Sequence, residues 1–290
     1  MSNRLITFIF LSCILSACSL MPLQNTAHDK IAYIQFTDGF WQVWLMDDKG
    51  GHTQQVTFDP MDKVHVSWFP DGERLLVNDA EGELLIANII SQKVEPLTIG
   101  LVGMHDAVVS PDGKSIAFSL STSDSIDDNN IWVYPFETGR LRKLTDFPYL
   151  QHQPAWGNDS NWLYFVSGRG RQTHDIIRID VNSANAEQLT SGQLYHFEVD
   201  VSPFGNLVFS NNQTGDYELW QWSLSQAPER LTHHEGYDAD PSWDRSAQQI
   251  AFSSTRSGVL NIWKYNAKDG QVTQLTFNPV GARNPAWYRY

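Results

Sequence analysis

Six segments far apart in the chain each carry a polar residue at the same point of a recurring pattern: His65, Asp106, Gln153, Glu198, Asp240 and Asn284. The positions just upstream add His105, His152, His196, Asp238 and Arg283. The set holds four imidazoles, four carboxylates, one guanidinium and two amides. Such groups serve three kinds of site. They can line a wet channel, since strand ends that face water are polar. They can form a funnel that receives the charged and hydrogen-bonding groups of a ligand or partner peptide. They can also hold a divalent metal, with His105, His152 and His196 as nitrogen ligands and Asp106, Glu198 or Gln153 adding oxygen.

The elements that must bring these residues together are short strands. Residues 240–263 show the unit: Asp240-Pro241-Ser242-Trp243, a turn, the alternating run Gln249-Ile250-Ala251-Phe252-Ser253, a turn at Gly258, then Asn261-Ile262-Trp263. Apolar and polar residues alternate with period two, the signature of a half-buried strand. A Leu-Thr-like pair closes each unit, at Thr57, Thr98, Thr145, Thr190, Thr232 and Thr276, spaced by 41, 47, 45, 42 and 44 residues. A fixed period of this length marks stacked or radial copies of one unit. The turn after the first strand is clearest in Pro70-Asp71-Gly72 and Pro111-Asp112-Gly113. There Pro fixes φ, Asp offers a local acceptor and Gly permits the left-handed position.

The first and last copies are each incomplete. Ile31-Ala32-Tyr33-Ile34 is a second-type strand with no first strand before it, and Asn284-Pro285-Ala286-Trp287 is a first-type strand with nothing after it. Pairing the two closes a ring and leaves no open sheet edge. The expected fold over 31–290 is therefore an all-β, six-bladed β-propeller, closed by N- and C-terminal strands in one shared blade. An open sandwich of antiparallel sheets is the alternative.

Pro-x-Trp-Ser-Pro-Asp-Gly, a short strand, Ser254-x-Arg256-x-Gly258, then Ile-Trp and Leu-Thr resembles the WD40-like propeller repeat of the TolB type. The Gly-His…Trp-Asp signature of true WD40 repeats is absent. The resemblance implies a periplasmic propeller that binds an envelope protein through its channel-mouth loops. TolB-type proteins also carry a partner-binding domain ahead of the propeller. Only about a dozen tether residues precede the first strand here, which counts against a role in the Tol system itself.

Composition narrows the partners. The chain has 290 residues, 12% aromatic, with 11 Trp and a net charge of −13. Stiff rings at fold-defining positions suit packing between sheets. The acidic balance excludes a general nucleic-acid surface, which needs a basic face. Cys13 and Cys18 are the only cysteines and fit no zinc spacing, so the propeller rests on packing and strand pairing.

Arg4 and an apolar run from Leu5 to Leu15 read as a secretory signal, too short for a lasting membrane span. Leu15-Ser16-Ala17-Cys18 resembles a bacterial lipobox, implying a signal peptide over 1–17 and lipid on Cys18. Losing Arg4 takes Lys+Arg from 20 to 19 against 33 acids, giving 19 − 33 = −14. Ser19 after the Cys implies outer-membrane sorting. Residues 18–30 read as a flexible tether.

No Gly-x-Ser-x-Gly elbow, P-loop, dinucleotide fingerprint or His-Glu-x-x-His occurs. His233-His234-Glu235 reads as an exposed loop. Asp124, Asp127, Asp128, Asn129 and Asn130 lack EF-hand spacing. Arg140, Arg142, Lys143, Arg169 and Arg171 form the one basic region, read as solvated surface. The expectation is a monomeric, non-enzymatic, lipid-anchored scaffold for an envelope protein, with no cofactor and no nucleic acid. The alternative is a metal-dependent lyase or hydrolase acting on a sugar or polyanion, by fold-level analogy with propeller lyases that hold a His-rich metal site.

Overall fold

The computed structural model describes residues 30–123, 128–169, 173–192 and 194–290. Cys18, the signal, tether residues 18–29, Asp124, Asp127, Arg171 and the Arg169 side chain lie outside the described residues, while Lys30, expected in the tether, already belongs to a strand. Six antiparallel four-stranded sheets form the blades of a propeller. Blade 1 is Ala282–Trp287, Lys30–Thr37, Phe40–Asp47 and Gln54–Gln55. Blade 2 is Lys63–Trp68, Arg74–Asp79, Leu84–Asn88 and Lys93–Pro96. Blade 3 is Met104–Val109, Ser115–Ser121, Asn129–Pro135 and Arg142–Lys143. Blade 4 is Gln151–Trp156, Trp162–Arg169, Thr173–Asp180 and Ala186–Gln188. Blade 5 is His196–Val201, Leu207–Asn211, Glu218–Trp222 and Glu229–Arg230. Blade 6 is Asp238–Trp243, Gln249–Ser254, Asn261–Asn266 and Val272–Gln274.

The split blade closes as the incomplete copies predict, with Ile31 paired to Trp287 and Gln35 to Ala282. Second strands such as Leu75-Leu76-Val77 and Ile250-Ala251-Phe252 are buried on both faces, because neighbouring blades sandwich them. The repeat Trp residues do the packing expected of them. Trp68, Trp156, Trp243 and Trp287 are buried, and two of the indoles reach the preceding blade. Trp68 Nε1 donates to Ala286 O (2.9 Å) and Trp156 Nε1 to Val108 O (3.1 Å).

The Leu-Thr pairs also have a physical reason. The Thr hydroxyl, buried at all of these but the half-buried Thr190, accepts the third-strand N–H where the fourth strand peels away: Val43 to Thr57, Ile131 to Thr145, Ile176 to Thr190, Leu219 to Thr232 and Ile262 to Thr276. An unpaired buried N–H is costly, so the Thr is framework. Each antiparallel blade sends two connections to one face: the loop from its outer strand to the next inner strand, and the turn between its second and third strands. That face is the channel mouth.

Candidate functional site

All six inner strands line one cavity of about 180 Å³ on the propeller axis, and His65, Asp106, Gln153, Glu198, Asp240 and Asn284 all face it. One extra residue in each inner strand shifts the pairing register. Such a bulge kinks the strand and re-aims a side chain. Asp106, Gln153, Glu198, Asp240 and Asn284 take left-handed φ of 54°, 52°, 56°, 48° and 52° at this point. That conformation is unfavourable for residues with a Cβ and persists where the surroundings hold it.

The hold is a relay from blade to blade. The Gln153 N–H donates to Asp106 Oδ2 (3.1 Å), and the Glu198 N–H to Gln153 Oε1 (3.0 Å). The Asp240 N–H donates to Glu198 Oε2 (2.7 Å), and the Asn284 N–H to Asp240 Oδ2 (3.3 Å). Two residues further along, a second tier repeats the logic: Val109 N–H to Ser67 Oγ, Trp243 N–H to Asp200 Oδ2 and Trp287 N–H to Ser242 Oγ. The polar ring therefore fastens inner strand to inner strand. At blade 2 the relay stops. His65 bulges one step earlier, between Lys63 and His65, and Asn78 takes over by bonding Met104 O and the Ala107 N–H.

Charge in the ring is strained. Burial, then the neighbouring Asp240 carboxylate, push Glu198 well above the ordinary carboxyl range. Tyr237 Oη donates to Glu198 Oε1 (3.3 Å). Burial holds the His65 imidazole below its usual value, against the pull of Asp106 and Asp240. Deeper in the channel, Arg289 Nη1 meets both Asp200 carboxylate oxygens at 2.6 Å, and Arg289 and Tyr290 line the same cavity. The ring is thus neutral or anionic, with its oxygens largely engaged by backbone.

A family model described as the Tricorn protease N-terminal beta propeller domain matches residues 76–279. The chain belongs to that propeller family. Relatives that resemble the chain have different names. The uncharacterized protein Atu1656 of Agrobacterium fabrum is 26% identical over 201 residues, 67% of each chain. The Tol-Pal system protein TolB of Anaeromyxobacter dehalogenans is 30% identical over 134 residues, 44% of this chain and 29% of that one. The match therefore spans under a third of that TolB's length. Among solved structures, TolB from Acinetobacter baumannii superposes with a TM-score of 0.80 at 18% identity, over 90% of this chain and 67% of its own. An oligogalacturonate lyase in complex with manganese superposes with a TM-score of 0.59 at 12% identity, over 85% and 73%. At these identities the structural likeness is one of fold.

Within this propeller the remaining expected site residues scatter. His196 and Asp238 are first residues of their inner strands, and that position is buried in all six blades. His196 Nδ1 lies 2.8 Å from His174 O, and its ring packs on Phe209. Asp238 is 1% exposed and takes Arg256 Nη2 at 2.5 Å and Ser254 Oγ at 2.6 Å. The Ser-x-Arg-x-Gly motif is therefore a clamp inside blade 6, with Arg256 also over the Phe252 and Trp263 rings. His105, His152 and Arg283 are second residues. His105 is exposed at the mouth. His152 packs edge-on to His174, and burial lowers it to about 4, aided by His174 and opposed by Asp106. Arg283 lies 4.3 Å over the Trp41 ring.

His105, His152 and His196 thus point into three different environments. Among the described residues no three His, Cys, Asp or Glu side chains are grouped to hold a metal ion. The polar insertion also has structural partners: Asp128 Oδ2 accepts Thr122 Oγ1, and Asn130 Oδ1 accepts Thr145 Oγ1. In the basic region Arg142 donates to Val181 O of the next blade, and Lys143 pairs with Asp146. His234 is half-buried rather than exposed, its N–H bonded to Glu218 Oε1 at 2.6 Å.

Two features of the mouth were missed in the sequence. One is an aromatic run, His174, Tyr195, Phe197, Tyr217 and Tyr237, whose neighbouring rings lie 4.6 to 6.2 Å apart across blades 4 to 6. The other is a set of bare apolar side chains on the loops after the Leu-Thr pairs. Phe58 and Phe277 are 73% and 77% exposed. Their signal was a Phe directly after Thr57 and Thr276.

Proposed function

We propose that the protein is a non-enzymatic binding propeller of the bacterial envelope that engages a protein partner at its channel mouth. The observation that carries this reading is a division of labour on one face. Four ring side chains, those of Asp106, Gln153, Glu198 and Asp240, are bonded to the next blade, while Phe58 and Phe277 on the surrounding loops stand mostly in water. A surface of that kind binds by burial rather than by proton transfer. The similarity to Tol-Pal system TolB proteins supports the same reading. His105, exposed on the rim, and Asn284, in the ring, are polar groups placed to orient the partner. The Leu15-Ser16-Ala17-Cys18 run supports anchoring by lipid on Cys18 at the periplasmic side of the outer membrane.

A photo-crosslinking residue placed at His105, on the mouth, and at Phe204, on the far face, tests the reading in intact envelopes. Protein adducts are expected at position 105 and not at 204. Adducts only at 204, or none at 105, overturn it. Cys18→Ala is expected to move the protein from the membrane to the soluble fraction; an unchanged membrane fraction rejects the anchor.

A further inference from the structure

Resting on the partner-binding reading, we infer that the partner docks through a cationic, apolar polypeptide segment laid along a ridge over blades 6, 1, 2 and 3. The ridge is marked by exposure. Phe58, Val102, Phe277 and Val280 are 73%, 68%, 77% and 55% exposed, with Leu101 beside them at 37%. All five sit on loops that join one blade's outer strand to the next inner strand, on the mouth face. Single exposed apolar residues are ordinary, and Phe204 on the opposite face is one. Five on three successive loops of one face are not ordinary.

The three loops that carry them are bonded one to the next. The loop of Phe277 and Val280 grips the first hairpin of blade 1: Asn278 Nδ2 donates to Phe36 O (3.1 Å), and the Phe36 N–H to Gly281 O (3.2 Å). The Trp41 ring of that hairpin lies against Gly281, where an added Cβ would come within 3.1 Å. The Trp41 N–H then donates to Asp62 Oδ1 (2.8 Å), in the loop of Phe58. Asp62 O accepts the Ala80 N–H (2.8 Å) of blade 2, and Gly82 O accepts the Met104 N–H (3.1 Å) after the loop of Val102. Each loop is tied to its neighbour through backbone and the side chains of Asn278 and Asp62, so the apolar tips are presented on a stiff frame. A pre-organised surface loses little entropy on binding.

Charge selects the occupant. The same loops and turns carry Asp38, Asp59, Asp62 and Glu81. Lys63 is fully buried on Asp59 Oδ2 and Met61 O, so that pair offsets itself, and Arg283, stacked on Trp41, stands against Asp38, Asp62 and Glu81, leaving an acidic excess. Apolar tips in an acidic border fit a segment that alternates apolar and Lys/Arg side chains. The same border repels anionic lipid and nucleic acid. A second copy of this chain, at a net charge of −13, brings the wrong sign.

The test uses two synthetic peptides, one of alternating Leu and Lys and one of alternating Leu and Glu, titrated against the whole protein by fluorescence anisotropy. Wild type is expected to bind the Leu/Lys peptide and not the Leu/Glu one. Phe58→Ser with Phe277→Ser is expected to weaken binding about tenfold or more, while Phe204→Ser changes it less than about twofold. Asp38→Lys with Glu81→Lys is expected to weaken binding and flatten its salt dependence. Equal binding of both peptides, or full binding by the double Ser variant, overturns the ridge. So does self-association, or binding to phosphatidylglycerol vesicles, that the double Ser variant abolishes. If adducts form at position 105 while the double Ser variant binds like wild type, the ridge fails and the partner-binding reading stands.

Discussion

The channel ring and the loop ridge share the mouth face, within a few residues of each other along the chain, and they are built in opposite ways. In the ring, Asp106, Gln153, Glu198 and Asp240 are polar, part-buried and bonded to the next blade's backbone. In the ridge, Phe58 and Phe277 are apolar and open to water. Six polar residues converging on an axis suggest chemistry by their type. The hydrogen bonds of Asp106, Gln153, Glu198 and Asp240 assign those four to holding the inner strands together. Residue type proposes a site; whether its groups are already satisfied decides it.

The comparison breaks most visibly at Asp238, which counts as a mouth residue by sequence and as framework by structure. Arg256→Met leaves a buried carboxylate without its partner and should cost about 3–5 kcal/mol in urea unfolding, as broken buried pairs do. A cost below about 1 kcal/mol would return Asp238 to the mouth. The ring itself comes next. Gln153→Leu strands the Glu198 N–H and should cost about 1–3 kcal/mol. Loss of partner adducts with no loss of stability would make Gln153 a contact residue instead.

Glu198 sharpens the same point through pH. Its folded pKa lies above the unfolded value of 4.5 because burial and Asp240 disfavour the charge. Its contribution to stability is therefore complete below pH 4.5 and drains away as pH rises toward the raised folded value. Glu198→Gln keeps the oxygen that accepts the Asp240 N–H and removes that drain. The variant should match wild type near pH 4 and exceed it near pH 8 in unfolding midpoint. A variant weaker than wild type at pH 8 would mean that Glu198 is ionised and paired in the native state. The smallest effect belongs to the ridge: Phe58→Ser with Phe277→Ser should shift stability by no more than about 0.5 kcal/mol, since exposed side chains contribute little.

Much of this molecule is legible in its sequence. The spacing of Leu-Thr pairs, the split first and last units and the Pro-x-Trp strands give the blade count and the closure, because a repeated unit writes its period directly into the chain. The ring positions are legible for the same reason. What periodicity cannot show is the bulge. One extra residue turns His196 and Asp238 into the blade interior and leaves His105 on the rim, though all stand within two residues of a ring position. The ridge was hidden by another cause. Phe147 follows a Leu-Thr pair much as Phe58 does, one residue later, yet it stacks on Phe165 while Phe58 stands in water. Exposure there depends on which neighbour the loop meets, and that is a property of the assembled ring.

The most direct measurement is the Leu/Lys peptide titration of Gln153→Leu beside Phe58→Ser with Phe277→Ser, each first shown folded by its urea transition. The account predicts that the ring variant, though less stable, binds at wild-type affinity, and that the ridge variant, though as stable as wild type, loses about tenfold or more. A ring variant that loses the peptide while the ridge variant keeps it would contradict the account.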